Sequence, residues 1–354
     1  MKTLFKSQTF RVLIKAALLF LLFNYAFALI PSAALWRFSI YNNFIPGSPR
    51  FPQEDDLSLL LLNHEIAAAP QDEYNVVVLG HSSTWGYLLD AQETFSGSIS
   101  EKELKTCNGA TIHLYNLGYP KLSTFKDLLI LAQALPYNPD AVIWVVTLNS
   151  MLYEPKQHPI VYENAEIAQS LIDEYAFPIS FDTPEETFWD RTFLNRRATL
   201  ARFIKYQLDG MRAFVAGEHT DPRYTPIGED LEPSLDFGGM PPPELDAALL
   251  MDTVLNAGID RVGDVPLVII NEPIQIATGK NSDIRYNQHY PKWAYDQYRE
   301  LMFQAALDNN WHYFDLWNLL PPTEFTNSAV HRTVTGEKIF ADEIEKILLE
   351  ISCP

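Results

Sequence analysis

Residues 75–86 read NVVVLGHSSTWG, and this stretch decides the fold. Its valine-rich run, Asn75–Leu79, stops at a glycine, which is typical of a strand buried on both faces of a parallel sheet. Open α/β sheets bind ligands at the carboxyl ends of their strands, so Ser82 and Ser83 are predicted to lie at a ligand-binding edge. Taken alone, however, Ser-Ser-Thr after a strand is more often a turn and a helix N-cap.

Further segments of the chain repeat this alternation of strand and helix. Four more runs read as buried strands: Thr111–Tyr115, Ala141–Thr147, Pro266–Ile270 and Trp311–Leu316. Helical spacing of apolar residues marks Thr124–Leu135, Tyr295–Asp308 and Thr335–Ile351. Such alternation predicts an α/β fold, a three-layer sandwich around a five-stranded parallel sheet.

The interval from about residue 151 to 264 interrupts this rhythm. It holds acidic and aromatic loops, a Pro/Gly-rich stretch, and helical patterns near 195–216 and 243–256. We expect a long insertion within one domain spanning residues 73–354. A substrate-facing cap and a structural elaboration are equally compatible with the pattern.

The N-terminal segment, residues 1–36, is predicted to be a short cytoplasmic tip followed by a signal-anchor helix. Residues 16–30 read AALLFLLFNYAFALI, and extension to Trp36 gives enough apolar length to cross a bilayer, with residues 12–36 in contact with lipid. Positive charge ahead of the span predicts a cytoplasmic N-terminus and an exported body. A cleaved signal peptide is the alternative. Residues 37–72 are expected to form a tether with a short helix near 57–68.

Charge divides the chain in the same way. The first acidic residue is Glu54, whereas the whole chain carries a formal charge of -19. An acidic body disfavours nucleic acid as a partner, because binding a polyanion begins with repulsion. The sequence shows no spacing typical of a metal site and calls for no cofactor.

Four loops at the predicted ligand-binding edge carry side chains or backbone suited to acyl transfer. Ser82 follows the first strand, Gly118 the second, Asn149 the third, and His331 lies in the loop before the last helix. This order supplies a nucleophile, two oxyanion donors and a base.

The four motifs together resemble the SGNH, or GDSL-type, hydrolase superfamily, whose blocks carry Ser, Gly, Asn and His in this order. The resemblance covers residues 74–351 outside the insertion, and it implies a flavodoxin-like sheet with Ser82 as nucleophile rather than Ser83. It also implies that His331 is the base and that the Ser82 N–H, the Gly118 N–H and the Asn149 side chain bind the oxyanion.

The chain departs from the family pattern at the acid of the triad. The family places a carboxylate about three residues before its histidine, where this chain has Ser328, preceded by Asn327. The Asn327 amide oxygen is one candidate to orient the imidazole. Asp315 and Glu324 are the other candidates.

Other side chains near the same edge are candidates for binding substrate. His81 replaces the family's usual aspartate, Glu272 follows the fourth strand, and Arg285 lies nearby in sequence. A salt bridge that holds the 285–290 loop is the alternative role for Glu272. Cys107 and Cys353 are both expected at the amino-terminal edge, where we predict a disulfide.

Together with the predicted anchor, the resemblance implies an extracytoplasmic serine esterase or O-acyltransferase that acts on acyl esters, acetyl above all, of envelope glycans. The anchor combined with this domain also resembles SGNH-like partners of membrane-bound O-acyltransferases, so such an enzyme is an expected partner. The competing prediction is a weakly active or inactive module that binds glycan or assembles with the acyltransferase.

Overall fold

A computed structural model describes residues 8–30, 70, 72–152, 159–180, 187–216, 226–245 and 252–353 of the 354-residue chain. The chain divides into two compact units. One unit comprises Met1–Ser48 with Asp182–Ala216, and the other comprises Pro49–Phe181 with Gly217–Pro354. The predicted tether and the short helix near 57–68 lie outside the described residues, apart from residues 70 and 72.

A five-stranded parallel sheet forms the centre of the larger unit, as the sequence predicts. Its strands are β1 Tyr74–Leu79, β2 Ile112–Asn116, β3 Ala141–Val146, β4 Leu267–Asn271 and β5 His312–Asp315. They are arranged in the order β2-β1-β3-β4-β5, and every neighbouring pair is parallel. The chain direction across the sheet therefore reverses at β1, and the crevice beyond β1 and β3 is where such sheets hold ligands.

Helices cover both faces of the sheet. In chain order the α-helices described are α1 Gln8–Ala28, α2 Ser82–Trp85, α3 Phe95–Glu101, α4 Thr124–Ala134, α5 Leu148–Met151, α6 Pro159–Glu163, α7 Ala165–Tyr175, α8 Arg197–Ala216, α9 Asp252–Val262, α10 Lys292–Asn309 and α11 Val334–Ile351. Alternate strand residues point to opposite faces. One face packs against α4, α7, α9 and α10, whereas the other packs against α3 and α11, which gives three layers.

The predicted insertion is divided between the two units. Helices α7 and α9 contribute Leu171, Ile172, Val254 and Leu255 to the core of the larger unit. Residues 187–216, which include helix α8, belong instead to the smaller unit. The interval is therefore neither one continuous cap nor one continuous elaboration.

The smaller unit contains α1, which is long and apolar enough, by length and composition, to cross a membrane. Its leucine side chains are largely exposed, for example Leu19 and Leu22. A 21-residue helix at 1.5 Å per residue matches the hydrocarbon thickness of a bilayer.

A disulfide joins Cys107 and Cys353, the pair that the sequence analysis expects. The two Cα atoms are 5.3 Å apart, within the range that a disulfide spans. The bond links the segment that precedes β2 to the chain just after α11. It therefore closes the larger unit at the amino-terminal edge of the sheet, opposite the crevice.

Candidate active site

The loop after β1 presents Ser82 through a tight backbone turn. Gly80 adopts a φ of +153°, and a Cβ atom there would lie 2.3 Å from Thr84 Oγ1. Any side chain at position 80 would clash with Thr84 of helix α2, which begins two residues after Gly80. His81 caps this helix, with its ring nitrogen near the Ser83 N–H, and Ser82 is the first helical residue. Ser82 is half-buried.

The C-terminal loop places His331 against this serine. Ser82 Oγ lies 2.8 Å from His331 Nε2, although the two residues are 249 positions apart in the chain. On the other side of the ring, His331 Nδ1 lies 2.9 Å from Asn327 Oδ1. With Asn327 Oδ1 accepting from Nδ1–H, the Nε2 lone pair faces the serine hydroxyl, which is the arrangement of a serine nucleophile and its base.

Neither alternative acid reaches His331. Asp315 accepts from Arg299 Nε at 2.8 Å and from Asn271 Nδ2 at 2.8 Å. Glu324 accepts from the Thr333 hydroxyl. Asn327 is therefore the partner of the imidazole, and a neutral amide takes the place that a carboxylate has in a Ser-His-Asp triad.

The ring of His331 is further held by an aromatic neighbour that the motif analysis missed. Tyr87 stacks on it, with ring centroids 4.8 Å apart and an interplanar angle of 28°. Burial is the main cause that lowers the pKa of His331 to about 3, and the nearby His81 lowers it further. The imidazole is therefore neutral, and able to accept a proton, far below the pH at which free histidine protonates.

Of the three predicted oxyanion donors, the structure leaves Gly118 without a free N–H. The Gly118 N–H donates to Asn116 Oδ1 at 3.0 Å, so its predicted role is wrong in this geometry. The glycine is needed instead for close packing, because a Cβ atom at this position would lie 2.6 Å from the backbone nitrogen of Trp85. The Ser82 N–H makes no hydrogen bond with another described residue and stays available as a donor.

Asn149 lies in α5, directly beyond the carboxyl end of β3. The helix is capped by Thr147, whose hydroxyl lies 3.1 Å from the Tyr290 hydroxyl. The Tyr290 hydroxyl also hydrogen-bonds with the Asn149 backbone. This packing fixes the backbone of Asn149 and leaves its half-buried side chain as the candidate second donor.

His81 and Glu272 were predicted to contact substrate, and the structure contradicts this. Both are almost completely buried, with exposures of 1% and 0%. His81 Nε2 lies 2.6 Å from Glu272 Oε1, and the Ser83 hydroxyl donates to Glu272 Oε2 at 2.5 Å. Glu272 therefore holds the nucleophile loop from beneath. Because the Ser83 hydroxyl donates to this buried carboxylate, Ser82 remains the candidate nucleophile.

The same carboxylate pairs with Arg332, the residue that follows His331. Arg332 Nη1 donates to Glu272 Oε2 at 3.0 Å, and Arg332 Nε donates to Glu337 Oε1 at 2.6 Å. Burial acts to raise the pKa of Glu272, yet His81 and Arg332 hold it below its usual range. Burial raises the pKa of Glu337 despite Arg332. Arg332 therefore pairs with two buried carboxylates, one after β4 and one in α11.

Arg285 is also a structural residue rather than a substrate ligand. It is 6% exposed, and its guanidinium donates to three backbone carbonyls, those of Asn287, Ser234 and Gln288. The loop from Arg285 to Tyr290 is indeed held, but by these carbonyls and not by a salt bridge to Glu272.

A second buried ion pair near the site escaped the sequence analysis. Lys126 Nζ lies 2.6 Å from Asp127 Oδ1 and donates to the carbonyls of Gly80 and Tyr119. It thereby ties the loop after β1 to the loop after β2. Its signal in the sequence is a Lys-Asp pair in the first turn of α4, which is otherwise almost wholly apolar.

Comparisons with known proteins find similarity to solved structures. No family model and no curated protein matches the chain. A lipase/acylhydrolase from Enterococcus faecalis has a TM-score of 0.40 and 14% identity, covering 78% of this chain and 95% of its own. An aryl esterase from M. smegmatis has a TM-score of 0.39 and 11% identity, covering 78% and 99%.

A third solved structure carries the family name itself. This member of the lipolytic protein G-D-S-L family from Veillonella parvula has a TM-score of 0.36 and 9% identity, covering 77% of this chain and 97% of its own.

Proposed function

We propose that this chain is a serine ester hydrolase of the SGNH type, in which Ser82 is the nucleophile and His331 the general base. One observation carries the proposal, namely the continuous line from Ser82 Oγ through both ring nitrogens of His331 to Asn327 Oδ1. A nucleophile bonded to a base that a third group orients is the arrangement that activates a serine hydroxyl.

The proposed reaction proceeds through an acyl-enzyme. His331 Nε2 takes the proton of the Ser82 hydroxyl as Oγ attacks the ester carbonyl carbon. The Ser82 N–H and the Asn149 amide donate to the developing oxyanion. The imidazolium then gives its proton to the departing alkoxide. A water or sugar hydroxyl, deprotonated by His331, next attacks the acyl-enzyme carbonyl, and the bond to Ser82 Oγ breaks as His331 returns that proton to Oγ.

The substrate class and location are finer parts of the proposal. Helix α1 anchors the domain to a membrane, with its N-terminus in the cytoplasm and its catalytic unit outside. The disulfide between Cys107 and Cys353 supports an oxidising compartment. Acyl esters of envelope glycans, with acetyl first, are the proposed substrates, and transfer to a second sugar would involve a membrane-bound O-acyltransferase as partner. This substrate and partner assignment rests on the resemblance of the anchored domain to SGNH-like acyltransferase partners.

Replacement of the nucleophile tests the chemistry. Ser82→Ala should reduce hydrolysis of p-nitrophenyl acetate by at least about 10³-fold, because the residual rate would come from binding and the oxyanion donors alone. Ser83→Ala is the matched control, since its hydroxyl serves Glu272 and should leave measurable turnover. Equal activity of Ser82→Ala and the unmodified protein would overturn the assignment. Acetylated glycans offered to the active protein then test the substrate class.

A second candidate function is a weakly active or inactive module that binds acylated glycan. Two observations favour it: a neutral amide beside His331 and the occupied Gly118 N–H. In that case Ser82→Ala would leave glycan affinity unchanged, and the unmodified protein would show little or no ester turnover above that of buffer.

A further inference from the structure

Residues 187–196 pack against the C-terminal end of α1. The Phe193 ring meets Phe23 and Phe27 in edge-on contacts, with centroids 5.3 and 5.6 Å apart. The Phe188 ring lies 5.4 Å from that of Tyr25. These contacts place the segment beside the last two turns of α1, where an apolar helix of this length leaves the hydrocarbon layer.

Polar contacts fix the same junction. The Leu194 N–H donates to Asn24 Oδ1 at 3.3 Å, and Arg196 Nη1 donates to the Ile30 carbonyl at 2.9 Å. The Ile30 carbonyl lies just beyond the end of α1, where carbonyl groups lack helical partners. These contacts therefore hold residues 187–196 beside the C-terminal end of α1.

The exposed aromatic side chains of this segment suit the surface of a bilayer. Trp189 is 69% exposed, and its ring lies 5.7 Å from that of Phe188, which is also exposed. A solvent-facing Trp beside the end of a spanning helix is typical of the aromatic belts at membrane–water interfaces.

Helix α8 continues from this junction with an apolar stripe. Ile204, Leu208 and Val215 are exposed, and they recur at intervals of four and seven residues, so they share one face. Leu200 and Met211 fall on the same face by spacing and are half-buried. This stripe extends about four turns, from Leu200 to Val215, and carries no charge over that length, whereas Arg197 lies on the same face at the start of the helix.

Cations accompany the stripe in a chain that is otherwise acidic. Residues 187–216 contain six basic and two acidic side chains, within a protein of formal charge -19. Lys205 and Arg212 are exposed and lie on the flank of the stripe, about 100° and about 80° from its centre. An apolar face flanked by cations is the composition of helices that lie in the headgroup region of anionic bilayers.

We propose that residues 187–216 form a membrane-surface element, with the apolar stripe of α8 and Trp189 buried at the lipid headgroup boundary. This inference rests on the proposed membrane anchoring by α1 and goes beyond the ester chemistry. Lipid is the occupant because the junction makes the segment continuous with the lipid-facing surface of α1. The element would hold the anchor in place with a second, reversible attachment.

Site-directed spin labelling of the full chain in vesicles tests the proposal. Both cysteines of the sequence are in the disulfide, so an introduced cysteine is the free thiol for labelling. Leu208→Cys probes the stripe, Lys205→Cys is the matched control on the charged flank, and Leu19→Cys reports whether α1 is inserted. Vesicles contain phosphatidylcholine with phosphatidylglycerol, and collisions with oxygen and with a water-soluble nickel chelate are measured.

The expected result is high oxygen and low nickel accessibility at Leu208→Cys, the reverse at Lys205→Cys, and the lipid pattern at Leu19→Cys. Nickel accessibility at Leu208→Cys as high as at Lys205→Cys, with Leu19→Cys in lipid, overturns the surface element and leaves the anchor standing. Low accessibility of Leu208→Cys to both reagents also overturns it, since protein then covers the stripe. Water exposure at Leu19→Cys and Leu208→Cys together overturns the anchor and the inference with it.

Discussion

A neutral amide as the partner of His331 changes what the imidazole can do. Asn327 Oδ1 fixes the tautomer with the Nε2 lone pair toward Ser82, as a carboxylate would. It does not supply the negative charge that stabilises an imidazolium, and burial already lowers the pKa of His331 to about 3. The residue is thus always ready to accept a proton at neutral pH, but it is a weak base.

The pH dependence of turnover should carry this signature. Because His331 is neutral above a pH of about 3, we expect the acidic limb of kcat/KM well below 6.5, wherever the protein stays folded. Asn327→Asp should raise the pKa of His331 by about 1 to 3 units, move the limb upward, and speed turnover at neutral pH. The measurement is p-nitrophenyl acetate hydrolysis from pH 4 to 8, with circular dichroism at each pH.

Thr323→Asp is the matched control, because it adds the same charge at an exposed position of the same C-terminal segment, outside the contact between Asn327 and His331. It should leave the limb close to that of the unmodified protein. An equal shift in both variants would show that general charge, and not contact with Nδ1, moves the limb. A limb near 6.5 in the unmodified protein would contradict the lowered pKa.

For single residues, the sequence predicts which side chains lie in the loops at the carboxyl edge of the sheet. It does not predict which hydrogen bonds those side chains make. Ser82, Asn327 and His331 could be predicted, because their motifs follow the family's order and lie in loops at the same edge of the sheet. The roles of Gly118 and Glu272 could not, since each depends on a partner in another loop, Asn116 and Arg332 respectively. Tyr87 was missed because ring stacking leaves no mark in local spacing.

Among the structural elements, β4 makes the least expected contribution. Its end carries Glu272, which holds the β1 loop through His81 and Ser83 and the C-terminal loop through Arg332. Breaking a buried ion pair leaves an uncompensated charge, so Glu272→Gln should lower the free energy of unfolding by about 3–5 kcal/mol. Urea denaturation measures the loss, and ester turnover of the folded fraction should fall because the serine loop is no longer held.

The exposed pair of Arg261 and Glu174 provides the comparison. Its N–O distance of 2.7 Å is as short as that of the buried pairs. Because solvent screens it, Glu174→Gln should change the free energy of unfolding by about 1 kcal/mol or less. Similar losses in the two variants would contradict the structural role assigned to Glu272.

Strands were the most predictable elements, and the insertion was the least. Each predicted strand overlaps an observed one. Central strands buried on both faces, such as β3 and β4, are short continuous apolar runs, whereas the edge strand β5 is only partly buried. The interval 151–264 mixes helices that complete the sheet's outer layer with a segment that packs on α1. Periodicity reports which face of a helix is apolar, but not which distant element covers it.

In the molecule as a whole, the disulfide and the candidate active site lie at opposite edges of the sheet in the larger unit. The disulfide lies at the amino-terminal edge, whereas Ser82 and His331 lie at the carboxyl edge. The positions of both cysteines were predicted correctly from the sequence, because all strands of a parallel sheet begin at the same edge. Stability and catalysis should therefore be separable in this protein.

Removal of the disulfide tests that separation. The bond closes a loop of 246 residues, so the Cys107→Ser/Cys353→Ser variant should lose about 2–5 kcal/mol of unfolding free energy. Its kcat/KM at 25 °C should stay within about twofold of the unmodified protein, because distant sites act independently. Dithiothreitol should shift the urea midpoint of the unmodified protein, whose Cys107 is exposed, to that of the variant, and should leave the variant unchanged. A large loss of activity in the folded variant would mean that the two edges are coupled, and an unchanged midpoint would mean that the cross-link does not constrain the unfolded chain.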